Sequence, residues 1–167
     1  MSNSAVLKIE GHLFSDHRLE TIYRYWRSRR GNRDLPQRAD IRPSELGSAL
    51  RLLNLIDVMH NPLRFRHRLV GSEHVEWLGR NATGRFLDDA LYGDATGEII
   101  GAFTTIVQER RPYFRRSRLD WNNQKWLEME AVELPLGDAD GEVNMILRGA
   151  VFRPIRLTQR MEFIPLE

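Results

Sequence analysis

The chain has 167 residues, 41% of them hydrophobic and 29% charged, with a formal net charge of only +2. That is the size of one ordinary domain around a single core, and no apolar run approaches the roughly 20 residues that a membrane-spanning helix requires. Cysteine is absent, which excludes disulfides, thiolate catalysis and cysteine-ligated metal clusters.

Lys8 and Lys125 are the only lysines, so 23 of the 25 basic residues are arginine. A small net charge with interspersed acids speaks against counterion-driven binding to nucleic acid, which needs a concentrated basic face. Residues Met1 to Leu13 carry Val6, Leu7 and Ile9 without a sustained period. They read as a frayed terminus or a short added strand, and they lack the basic and apolar regions of a secretion signal, so a cytoplasmic protein is expected.

The first clear element is a helix. Ser15 is a suitable N-cap, Asp16 suits the positive end of the helix dipole, and Phe14 is placed to staple against Leu19. Leu19, Ile22, Tyr23 and Trp26 follow at helical spacing, and Gly31 supplies the stop. Thr21, Arg24 and Ser28 occupy the opposite face. Such an amphipathic helix covers its own core or packs against a partner subunit. Asn32 to Ile41 is a polar loop, and Arg42-Pro43-Ser44-Glu45-Leu46 opens a second short helix.

Arg51 to His60 is an apolar run of strand length closed by Asn61-Pro62, and a second strand, Leu63 to Val70, follows it as a hairpin. In that second strand the period of two places Arg64, Arg66 and Arg68 on a solvated face and Phe65, His67 and Leu69 on a buried one. Gly71-Ser72 breaks the strand. Ser72 is expected to cap a short helix, Glu73 to Leu78, with Val75, Trp77 or Leu78 inside.

From Asp94 or Thr96 to Arg111 runs the longest central helix, with Ile99, Ile100, Phe103, Ile106 and Val107 as its apolar stripe and Pro112 as its terminator. Three strands are expected after it: Tyr113 to Trp121, Lys125 to Leu136 and Glu142 to Phe152, with turns at Asn122-Asn123 and Gly137 to Gly141.

This order of elements resembles the PAS (Per-Arnt-Sim) fold, and more closely a bacterial family of small stand-alone PAS-like proteins. The resemblance is carried by Tyr25-Trp26 with Arg30-Gly31, by Pro36-x-Arg38-Ala39-Asp40-Ile41, by Arg64-Phe65-Arg66-His67-Arg68-Leu69-Val70-Gly71, by Gly79-Arg80-Asn81-x-Thr83-Gly84 and by Pro135-Leu136, over Leu19 to Val151. It implies an α+β fold: a five-stranded antiparallel sheet with short helices on one face and an N-terminal helical extension. The expected division is 1–50 for the extension, 51–155 for the PAS-like sensor domain and 156–167 for a C-terminal tail. His67 departs from the resemblance, because an aromatic such as Tyr is expected between the paired arginines.

PAS domains are typically sensors, and several kinds bind haem, flavin or small metabolites, so the resemblance implies a non-catalytic regulatory protein that binds a small ligand or a signalling partner. No particular cofactor is specified. Phe65, His67, Leu69, Trp77, Phe103, Val107, Met129 and Met145 are the candidate pocket residues. His67 is the sharpest, as a haem ligand or a hydrogen-bonding group, against the plainer reading of a satisfied core histidine. Because PAS-like domains often dimerise through an N-terminal helix, Leu19, Ile22, Tyr23 and Trp26 are the candidate homodimer surface.

Two other functional classes stay open in the sequence: a small-molecule enzyme on a related α+β sheet, and a basic nucleic-acid-binding regulator using Arg110-Arg111 and Arg115-Arg116-Arg118. The second lacks any visible recognition module, so nucleic acid is not an expected partner. Gly79 to Gly84 lacks the lysine and spacing of a phosphate-binding loop. Glu73 and Glu76 share a helix face with no third ligand, so no metal site is assigned.

Overall fold

The computed structural model describes residues 14–119, 127–155 and 162–166. Met1 to Leu13, the Asn122-Asn123 turn and Lys125 lie outside the described residues.

Helix α1 (His17–Arg30) forms where the apolar stripe predicts it, with Leu19, Ile22, Tyr23 and Trp26 buried. Its N-cap is Asp16, whose carboxylate accepts from Arg18 N at 2.9 Å. Ser15, expected in that position, instead donates from its N and Oγ to the Glu130 carboxylate, both at 2.7 Å. The reason is tertiary: Glu130 has no exposure, and a buried carboxylate needs donors. A 3-10 segment (Pro43–Leu52) leads into strand β1 (Leu53–Met59), which forms the expected hairpin with β2 (Arg64–Leu69).

Short helices α2 (Ser72–Leu78) and α3 (Asp89–Tyr92) precede the long α4 (Thr96–Glu109). Gly71, not Ser72, is the N-cap of α2. A Cβ at Gly71 would stand 2.5 Å from Arg51 O and 2.8 Å from Leu53 O, so close backbone approach reserves that position for glycine.

Strands β3 (Tyr113–Arg118), β4 (Leu127–Gly137), β5 (Val143–Pro154) and β6 (Glu162–Pro165) complete one antiparallel sheet in the order β2-β1-β5-β4-β3-β6. The fold is α+β as expected, but the sheet has six strands, not five. Glu162–Pro165, assigned to a tail, pairs with the free edge of β3, Phe114 opposite Ile164. That edge otherwise presents unpaired backbone groups.

Both faces of the sheet are covered. Helix α1 lies on one, where Ile22 and Leu19 pack over Gly149 and Val132 and Phe14 meets Phe114 edge-on at 5.8 Å. On the other face lie α2 and α4: the His74 ring meets Phe152 at 4.9 Å, and Phe103 lies beneath Arg115 and Arg148. This double cover explains why every residue of β4 is buried.

One continuous core joins Leu19, Ile22, Tyr23 and Trp26 to Leu53, Ile56, Phe114 and Leu147. Side chains from residues 14–50 therefore pack with the sheet. The candidate dimer stripe is corrected by the same observation. Its four side chains are at most 1% exposed within the chain, because they are the apolar face that seals the sheet, and they have no surface left to offer a second copy.

Candidate functional site

The strand arginines find a structural role first. Arg66 donates to Asp57 Oδ2 from Nε at 3.3 Å and Nη2 at 3.0 Å, and Arg68 stands 3.6 Å from Oδ1. They neutralise an acid on the neighbouring strand.

The inner side of β2 holds Phe65 and His67, both buried. Leu69 does not join them. Leu55 pairs with Leu69 while Ile56 pairs with His67, so a bulge at Arg68 inserts one extra residue and reverses the alternation. Leu69 consequently faces away from His67 and is 42% exposed.

Beneath α2–α4 the sheet carries an unusual set of polar side chains. Glu133 on β4 has no exposure, and Arg115 on β3 and Arg148 on β5 are 7% and 4% exposed. Register brings the three together: Glu133 pairs with Arg148 on β5 and with Tyr113 on β3, and Arg115, two residues beyond Tyr113 on the same strand face, is its diagonal neighbour. Glu133 Oε1 accepts from Arg148 Nη2 at 2.6 Å, from the Nε of both arginines at 3.1 Å and from Arg115 Nη2. Burial alone would raise the Glu133 carboxyl. The two guanidinium groups outweigh it and hold the carboxyl below its ordinary range.

Two histidines complete the site. His67 Nε2 and the Tyr92 hydroxyl are 2.6 Å apart, and His67 Nδ1 is buried without a hydrogen bond. The His74 Nδ1 lies 3.3 Å from Asn54 Nδ2, while Asn54 Oδ1 accepts from Gly71 N at 2.7 Å. That backbone donor fixes the Asn54 amide, so Nδ2 donates and His74 Nδ1 accepts. Burial, then the charge of Arg148, pushes both imidazoles down to about 3, so both are neutral at ordinary pH and His74 carries its proton on Nε2. Burial likewise raises the Tyr92 hydroxyl.

His74, Tyr92, Ile99, Arg115, Met129 and Arg148 surround a cavity of about 20 Å³, room for about one water. Arg115 and Ser117 also line an outer groove of about 300 Å³ between α4 and the β3–β6 edge. A cavity of about 20 Å³ admits neither a haem macrocycle nor a flavin ring, and His67 Nε2 is already engaged by Tyr92. The residues present do not fit those groups.

Of the eight residues expected at a pocket, only Met129 lines the cavity itself. Phe65 packs on Phe103 at 5.4 Å, and Trp77 on Phe152 at 6.5 Å. Val107 is half-buried against the core. Met145 is a correction: strand alternation puts it opposite Leu136 and on the other face of β5 from Arg148, toward α1.

The residues that sequence reasoning missed are Asn54, His74, Tyr92, Arg115, Glu133 and Arg148. His74 was detectable by its spacing of four from Leu78, and Glu133 as the acid of β4 that falls on the opposite strand face from Glu128 and Glu130. The arginine run divides between the two faces of the sheet. Arg115 faces the cavity, while Arg116 faces the other side, beside Glu128, Glu130 and Glu162.

Among the described residues, no helix is long and apolar enough to cross a membrane and no group of three His, Asp or Glu is placed to hold a metal ion. No curated protein matches the chain. The crystal structure of a sensory box sensor histidine kinase from Vibrio cholerae is 13% identical, covers 68% of this chain and 90% of that one, and has a TM-score of 0.46. The model of the PAS domain family matches residues 14–151. Spanning most of the described chain, that match shows that the protein belongs to the PAS domain family.

Proposed function

We propose that this PAS domain is a sensory and regulatory protein, without catalysis of its own, that receives a small ligand on the inner face of its sheet and relays the event to a protein partner. The observation that supports this reading most is the cavity ringed by His74, Tyr92, Arg115 and Arg148. Its polar groups are buried at a cost that packing alone does not demand, since apolar residues of similar size would fill the space with less penalty. The relay has a short path. The strands that carry Arg148 and Glu133 also carry Gly149 and Val132, on which α1 sits.

A homodimer belongs to the same reading, assembled through surface outside the buried Leu19, Ile22, Tyr23 and Trp26. Light scattering on the purified protein tests it, and a monomer at all concentrations refutes it.

Native mass spectrometry of the protein isolated from cells tests the ligand reading, alongside a Ser117→Trp variant that blocks the space shared by cavity and groove. We expect a small-molecule adduct on the natural protein that the variant lacks. A bare natural chain, with no metabolite from a broad panel raising its melting temperature, would sink the reading.

A further inference from the structure

We infer that the cavity and the groove outside it form one binding site for a small organic monoanion of the carboxylate type, its charged head at Arg115, Arg148 and His74 and its apolar body along α4. This inference rests on the ligand-site reading above and adds the chemical class.

Charge is the first argument. Two guanidinium groups converge on the single carboxylate of Glu133, which leaves one uncompensated positive charge among nearly fully buried groups. Each guanidinium has five N–H donors. Arg115 and Arg148 each use only Nε and Nη2 toward Glu133, and neither makes another side-chain hydrogen bond among the described residues. A buried surplus charge of this kind is stabilised by an anion that takes up the remaining donors. One surplus charge calls for one negative charge.

The second argument is an independent donor. Asn54 fixes the His74 tautomer so that Nε2 carries the proton. No residue among those described accepts from Nε2, and His74 lines the cavity while being 7% exposed. A neutral imidazole N–H beside two guanidinium groups is a donor set for an anionic oxygen.

Shape and surroundings select the rest of the molecule. The cavity of about 20 Å³ accommodates a head group only after small side-chain shifts, and the groove of about 300 Å³ shares Arg115 and Ser117 with it. That outer volume is at the lower end of small-molecule sites. Gly101, Ala102 and Phe163 give the groove an apolar wall, and a Cβ on Gly101 would meet nothing within 4 Å. Glu98 and Glu162 also line the groove, and Glu162 is held by Arg116 at 2.8 Å. Arg116 lines the groove too and neutralises Glu162, so it is Glu98, without an ion-pair partner among the described residues, that disfavours a second negative charge on the ligand body and discriminates against di- and trianions.

The experiment is titration calorimetry of the full chain with straight-chain monocarboxylates from butanoate to decanoate, with octanamide and citrate as controls. We expect saturable binding of at least one monocarboxylate and binding at least about tenfold weaker for the amide and for citrate, the loss set by a charge-assisted contact. R148Q should weaken the carboxylate by a similar factor. It leaves Arg115 paired one-to-one with Glu133, and an unchanged circular dichroism spectrum verifies its fold. G101L should also weaken binding, by filling the groove without touching the charges. Equal binding of octanoate and octanamide, both blocked by G101L, would overturn the anion class and leave the ligand-site reading standing. Absence of any carboxylate binding at millimolar concentration, or binding unaffected by R148Q, also overturns it.

Discussion

The contact between α1 and the sheet is tight enough to be tested by two methyl groups. An alanine Cβ at Gly149 would stand 2.5 Å from Ile22 Cδ1 and 3.4 Å from Leu19 Cδ2 and Val132 Cγ2, where carbon atoms in contact prefer about 3.5–4.0 Å. The backbone has little freedom to retreat, because Gly149 is paired with Leu53 on one side and Val132 on the other, and Ile22, with no exposure, must move its Cδ1 against packed core neighbours. Gly149→Ala should therefore destabilise by about 1–3 kcal/mol through overpacking, more than the about 0.4–1 kcal/mol that alanine contributes by restricting the unfolded chain.

Ile22→Val removes the Cδ1 atom that causes the clash and alone should cost about 0.5–1.5 kcal/mol. In the double variant the new methyl occupies the vacated space, so the combined loss should fall short of the sum by about 1 kcal/mol or more. Urea unfolding followed by tryptophan fluorescence and circular dichroism measures each corner of the cycle. Gly137→Ala is the control, since its Cβ would meet Leu35 at an ordinary 3.5 Å, and it should be close to neutral. Additivity within about 0.5 kcal/mol would refute the docking of α1 on this strand, and with it the membership of residues 14–50 in the domain core.

Three other perturbations test the inner face and the helix anchor. Glu133→Gln leaves Arg115 and Arg148 buried without a counter-charge and should cost about 3–5 kcal/mol, measured by the urea midpoint; a loss below about 1 kcal/mol would show that the pair is not buried as described. Trp26→Phe removes the donor that Pro135 O receives at 2.9 Å and should cost about 1–3 kcal/mol, with thermal unfolding as the readout. His67 and His74 titrate at about 3 in the fold against about 6.5 when unfolded. Between these values the unfolded chain binds more protons, so stability is complete above about pH 6.5 and falls on acidification by up to roughly 1.4 kcal/mol per pH unit for each histidine. The depressed Glu133 carboxyl acts in the same direction at lower pH, its contribution being present above the unfolded carboxylate value and lost as pH falls through the folded one. Urea midpoints from about pH 7 to about pH 5 should drop steeply, and His74→Gln should roughly halve the slope; a flat profile would mean that the imidazoles are solvated.

Much of the architecture was legible from local pattern. Leu19, Ile22, Tyr23 and Trp26 mark α1, Ile99, Phe103 and Ile106 mark α4, and Asn61-Pro62 marks the β1–β2 turn, because these signals depend on residues within a few positions of one another. Motifs spread over Leu19 to Val151 likewise carried the PAS resemblance that the family match over 14–151 bears out. The site was much less legible. Alternation states that Arg115 and Arg116 face opposite ways, but not which of them meets the buried Glu133.

By itself, then, the sequence determined most of the elements, their order and the family, while β6 and the short α3 escaped it. Only the tertiary structure decided what those elements hold between them. Register, set by pairing across strands, placed Arg115 and Arg148 on Glu133 although 18 and 15 residues separate them; one bulge turned Leu69 outward, and parity separated Met145 from Met129. Helix α1 closed the sheet from behind and so withdrew its apolar stripe from any interface. These outcomes depend on pairings between distant segments, and hydrophobic period carries no information about which strand will stand beside which.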